Sequence, residues 1–117
     1  MMPVLARDCA FPACHGNTDR FLVVYAPGRT RRDPATDPWA PLTVDESEAN
    51  YQRALSMLVG SNDPEHTLLV ETPLSTAAGG SFHRGVDGRG LDVYSSRDDE
   101  GYRVLLAWAR AALAGEP

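Results

Sequence analysis

No apolar run in this chain approaches the length needed to cross a membrane as a helix. Its start, Met1-Met2-Pro3-Val4, lacks the basic stretch followed by an apolar one that marks a secretory signal. Positive charge is in short supply. Eleven Lys and Arg face 16 Asp and Glu, a net charge of -5, which argues against nucleic acid or an anionic membrane as the main partner. There is no Gly-x-Ser-x-Gly elbow of a hydrolase. The run Gly85-Val86-Asp87-Gly88-Arg89-Gly90 misses the spacing of a phosphate-cradling loop. Asp98-Asp99-Glu100 reads as a helix cap, not as an acid–base pair. With two cysteines in all, no second close pair exists to complete a structural zinc site.

What is present fits one domain, residues 1–117, of mainly α class with long irregular loops. The 43% hydrophobic and 23% charged composition is ordinary for a globular protein, while nine prolines and ten glycines imply much loop. Pro3 to Cys9 reads as two helical turns, with Pro3 tolerated at the first position. Phe21 to Tyr25 is a short apolar run, by composition a strand and by length equally a buried helical turn. The proline- and arginine-rich residues 26–42 form a long ordered loop.

Thr43 and Glu46 make a capping box that opens a helix. Its apolar face carries Tyr51, Ala54, Leu55, Leu58 and Val59, and Gly60 follows as a C-terminal cap. Asp63-Pro64 starts a short helix through Leu68, Leu69 and Val70, which Pro73 stops. Residues 74–97 are glycine-rich loop. Asp98 or Asp99 caps the last helix, with Tyr102, Leu105, Leu106, Ala109 and Leu113 as its stripe and Trp108 beside it.

The chemically specific segment is Cys9-Ala10-Phe11-Pro12-Ala13-Cys14-His15-Gly16. Two thiols followed at once by histidine can form two thioether bonds to the vinyl groups of a haem, with His15 under the iron. The usual spacing between the cysteines is shorter, so the extra residues must bulge out, and Pro12 stiffens the bulge. For the second axial position the chain offers His83, His66 and Met57. His83 lies between glycines, where backbone can approach a flat ring; His66 sits in the first turn of a short helix; Met57 sits beside the middle helix's apolar stripe. Arg29 and Arg31 are candidate partners for haem propionates, because guanidinium forks match carboxylates.

Two other readings use the same residues. In one, Cys9 and Cys14 form a disulfide in a haem-free structural or interaction module. In the other, Cys9, Cys14, His15 and a distant His66 or His83 hold zinc.

Two stretches also resemble the c-type cytochrome domains of large secreted or periplasmic bacterial proteins. One runs from Pro3 to Cys9 and through Cys14-His15-Gly16-Asn17. The other comprises Asp63-Pro64, Leu68-Leu69, Thr72-Pro73, Gly79-Gly80, His83 and Gly85, then Tyr102, Leu105-Leu106 and Trp108. The spacing of the cysteines and Arg84, where such domains often carry glycine, depart from the pattern. The resemblance implies a cytochrome c-like fold whose first and last helices cross around one haem c, with His83 as the distal ligand. It also implies an electron-transfer protein rather than an enzyme, located in the periplasm or outside the cell. Its partners would be redox proteins, copies of itself or larger haem proteins. That location leads to the expectation that the start of this chain is trimmed or misplaced.

Overall fold

The structure, a computed structural model, describes residues 1–83 and 92–115. The chain groups into two compact units, Met1–Ser56 and Met57–Pro117. Helices and 3-10 turns are the only runs of regular structure among the described residues, so the chain is mainly α. None of these helices is long and apolar enough to cross a membrane.

In the first unit, α1 (Met2–Asp8) packs on α2 (Val44–Ser56). With seven residues, α1 is too short to persist on its own; burial of Val4 and Leu5 holds it. Pro3 stands in its first turn, where a missing N–H costs nothing. The capping box of α2 is formed as the sequence predicts. Glu46 N–H donates to the Thr43 hydroxyl at 3.1 Å, and Thr43 N–H donates to the Glu46 carboxylate at 3.1 Å.

The buried side of α2 differs from the predicted stripe. Glu46, Asn50 and Ala54, spaced four apart, are the buried residues, while Tyr51 and Leu55 are only half-buried. The reason lies in what this side meets: loop backbone, whose N–H and C=O groups need polar partners. The helix also ends at Ser56, earlier than Gly60 implied. Beyond it, the carbonyls of Met57 and Val59 accept N–H groups of Leu69 and Leu68, both at 3.1 Å, and so the chain leaves the helical path.

The apolar run after the cysteine loop is neither strand nor helix. Leu22, Val23, Val24, Tyr25 and Ala26 are buried, whereas Phe21 is 95% exposed. In place of a neighbouring strand, the Asn50 amide bonds both backbone groups of Tyr25, each at 2.8 Å.

In the second unit, the expected single short helix is split. Asp63 caps a 3-10 turn, Pro64–His66, by accepting the Glu65 N–H. Thr67 is extended (φ -76°, ψ 153°), and α3 (Leu68–Glu71) follows. Both pieces pack against α4 (Glu100–Leu113), which Asp99 caps through Gly101 N–H. Tyr102, Leu105, Leu106 and Ala109 are buried as predicted; Leu113 is exposed. A parallel bridge joins Leu74 to Tyr94, and the Tyr94 and Tyr102 rings meet edge to face with centroids 6.5 Å apart. Leu69, Val70, Leu74 and Leu105 complete this core, each burial contributing about 1.5–3 kcal/mol.

Candidate functional site

Cys9 ends α1, its N–H completing the last turn on the Leu5 carbonyl at 2.9 Å. The chain then closes on itself. The Phe11 carbonyl accepts the N–H groups of Cys14 (2.8 Å) and Gly16 (2.9 Å), and the Cys9 carbonyl accepts the His15 N–H at 3.0 Å. Phe11, Pro12 and Ala13, between the two cysteines, are exposed. Gly16 is required by crowding: a Cβ there would run into the Ala10 carbonyl oxygen and the Phe11 carbonyl. The Thr30 hydroxyl donates to the Gly16 carbonyl and ties the next turn to this loop.

His15 is held at both its ring and its backbone. Nδ1 lies 2.8 Å from the Leu22 carbonyl, and the His15 carbonyl accepts the Val24 N–H at 2.7 Å. A carbonyl can only accept, so Nδ1 carries a hydrogen, and in the neutral ring the lone pair is then on Nε2. A histidine ligand needs this arrangement, one ring nitrogen anchored and the other electron-rich.

Both cysteines are free thiols. Cys9 is 9% exposed, and burial, reinforced by the Asp8 carboxylate and by Cys14, pushes its pKa up to about 12. It therefore stays neutral at ordinary pH, while Cys14 is more accessible. Cys9, Cys14 and His15 do not make a zinc site. Among the described residues no group of three or more Cys, His, Asp or Glu is arranged to hold a metal ion. A haem asks less, a single side-chain ligand on each face of the iron.

Arg29 is exposed, with its guanidinium carbon 4.4 Å from the Phe11 ring centroid, so a cation stands beside the cysteine loop. Arg31 corrects the expectation of a second propionate partner. Its side chain is 5% exposed, and Nε and Nη2 reach the Glu46 carboxylate at 2.9 and 2.7 Å. The remaining hydrogens go to the carbonyls of Ala40 (2.6 Å), Pro41 (3.0 Å), Asp37 and Pro38 (both 3.2 Å). All five N–H donors are engaged, leaving none for a ligand carboxylate. Arg31 holds the Glu46 carboxyl down to a pKa of about 2, against the opposing effect of burial and helped by the N–H groups of Arg32 and Thr43.

His83 belongs to the second unit. It is half-buried, with Nδ1 shielded from solvent. Arg84, Gly85 and the glycine run to Gly90 lie outside the described residues. Upstream, Gly79 has φ +98°, and a Cβ on Gly80 would collide with the Leu74 carbonyl, so both glycines are needed for the path to His83. His66 is exposed, with Nδ1 3.2 Å from the Glu71 carboxylate. Met57 is half-buried just after α2.

The sequence reading missed the roles of Glu46 and Asn50 in ordering the loops around the site. Their signal was present: two polar residues four apart, in line with Ala54, on a helix whose other side is solvated. No protein-family model, curated protein or solved structure matches this chain.

Proposed function

We propose that the chain is a c-type cytochrome domain, with a cytochrome c-like fold, that carries one covalently attached haem c and transfers electrons between redox proteins. The observation that carries this reading is the state of His15. Its Nδ1 is anchored to Leu22, which in the neutral ring leaves Nε2 as the coordinating nitrogen, and the same closed loop holds two free thiols. The donor set fits the group: Cys9 and Cys14 would bear the two thioethers, and His15 would ligate one face of the iron.

When bound, haem supplies one-electron chemistry by cycling between ferrous and ferric iron. The chain's own residues do the rest. Leu22 orients the proximal ring, and Gly16 lets the loop close beneath it. Arg29, standing over Phe11, is the remaining candidate to pair with a propionate. His83 is the candidate for the opposite face, supported by its place in a glycine-flanked loop; two histidines would favour a low potential and leave no open position for catalysis. Covalent haem attachment takes place outside the cytoplasm, so the proposed location is the periplasm or the cell exterior. Docking partners are other redox proteins or further copies of the chain.

Protein matured with a haem-attachment apparatus tests the reading. The expected results are a mass one haem above the polypeptide, a Soret band that survives acid–acetone extraction, and a pyridine haemochrome spectrum of two saturated vinyls. The bare polypeptide mass would refute it, and a mass two hydrogens lighter would identify the disulfide module instead. His83→Ala should turn a low-spin spectrum high-spin. An unchanged low-spin spectrum reassigns the ligand to Met57 or His66.

A further inference from the structure

We infer that Asn50, on α2, is a positioning residue for His15: it fixes the backbone carbonyl that sets the ring's orientation and tautomer. The inference deepens the haem reading and rests on it for its redox consequence. The connection runs through the first unit in three hydrogen-bonded steps. Asn50 is 1% exposed; its Oδ1 receives the Tyr25 N–H and its Nδ2 donates to the Tyr25 carbonyl, both at 2.8 Å. Two bonds to the N–H and C=O of one residue make a clamp that holds the chain direction as a neighbouring strand would. One residue earlier, Val24 N–H donates to the His15 carbonyl at 2.7 Å, and Leu22 presents its carbonyl to His15 Nδ1 at 2.8 Å. The run 22–25 is therefore a strut, clamped to α2 at Tyr25 and gripping the His15 backbone through Val24 and the His15 ring through Leu22.

A strut of this kind is needed because, among the described residues, no strand pairs with this run. Leucine, valine and tyrosine side chains give it burial but do not fix its register, since apolar contact has no direction. The amide clamp does. A shift of the Leu22 oxygen by a fraction of an ångström lengthens the bond to Nδ1 and releases the ring to take its other tautomer, with the hydrogen on Nε2, where a ligand needs the lone pair.

The alternative is that Asn50 merely satisfies two buried backbone groups. The experiment distinguishes the two. Full-length apoprotein with reduced thiols is compared as wild type, Asn50→Leu, Asn50→Asp and, as a control in the other unit's core, Leu69→Ala. The His15 ring nitrogens are read by 15N NMR, and helix content by circular dichroism. Wild type should show the Nδ1–H tautomer, and folded Asn50→Leu should raise the share of the Nε2–H form about fivefold, the weight of one lost hydrogen bond. Asn50→Asp keeps the acceptor and loses the donor, so it should fall between; it decides the matter if Asn50→Leu does not fold. An unchanged tautomer ratio in a folded Asn50 variant, or an equal change in Leu69→Ala, overturns the inference.

The same variants are then matured with haem. A shifted midpoint potential and altered low-spin g values in Asn50→Asp, absent in Leu69→Ala, extend the role to the iron. If no variant and no wild type acquires haem, the haem reading fails while the tautomer result stands. If wild type acquires haem and the ratio never moves, only the role of Asn50 fails.

Discussion

Glu46→Gln is the sharpest test of how the first unit is held together. The carboxylate is 1% exposed, and Arg31 and two backbone N–H groups lower its pKa from the ordinary 4.5 to about 2. At about 1.4 kcal/mol per unit, that difference is worth about 3 kcal/mol of folding stability. It is a large share of the about 5–15 kcal/mol expected of a whole domain. The sign follows from the direction of the shift. A carboxylate held low stabilises the fold fully above 4.5 and stops doing so as pH falls toward 2. Glutamine keeps the size but removes the charge and turns an NH2 group toward donors. Urea denaturation near neutral pH should find Glu46→Gln less stable by about 3 kcal/mol, with wild type converging on it in acid until more than half the gap has closed at about pH 3. A loss below about 1 kcal/mol, or a gap that stays constant with pH, would refute the account of Arg31 and Glu46 as a buried, charge-assisted pair.

Other outcomes follow from the geometry. The thiolate is the form that alkylates, and a Cys9 pKa of about 12 leaves about one part in ten thousand ionised near pH 8. Iodoacetamide should therefore add once to native apoprotein, at Cys14, and a second time only in denaturant; equal native labelling of both would contradict the burial of Cys9. Gly16→Ala forces a methyl into the Ala10 and Phe11 carbonyls and should cost about 1–3 kcal/mol in thermal unfolding, so a neutral result would mean the loop is looser than described. Tyr102 buries a hydroxyl that meets no hydrogen-bond partner among the described residues. Tyr102→Phe should be neutral or stabilising by up to about 1 kcal/mol, and a clear loss would reveal a hidden partner for the oxygen.

The helices with local signals were legible in the sequence. The capping box at Thr43 and Glu46, Pro3 at the start of α1, Asp99 before α4 and the stripe from Tyr102 to Ala109 are all written in residues close to one another. Features set by distant residues were not legible. Phe21–Tyr25 looked like a strand or a helical turn because periodicity cannot show that Asn50, 25 positions on, supplies the missing partner. Arg31 looked like a ligand for carboxylates and is one, but for a carboxylate of its own chain, 15 residues away. The helix after Asp63 was read as continuous because nothing local announces the extended conformation of Thr67.

The way Arg31 holds its loop bears on how this sequence can change. Its hydrogen bonds to the stretch from Asp37 to Pro41 all go to main-chain oxygens, which every residue type carries. Ala40 can consequently change without losing this hold, whereas Asp37, whose carboxylate also accepts the Trp39 N–H at 3.0 Å, and the guanidinium with its acid cannot. Variation among descendants of this chain should pile up at the tip and spare the two anchors, and a lysine at position 31, with three donors in place of five, would let go of it.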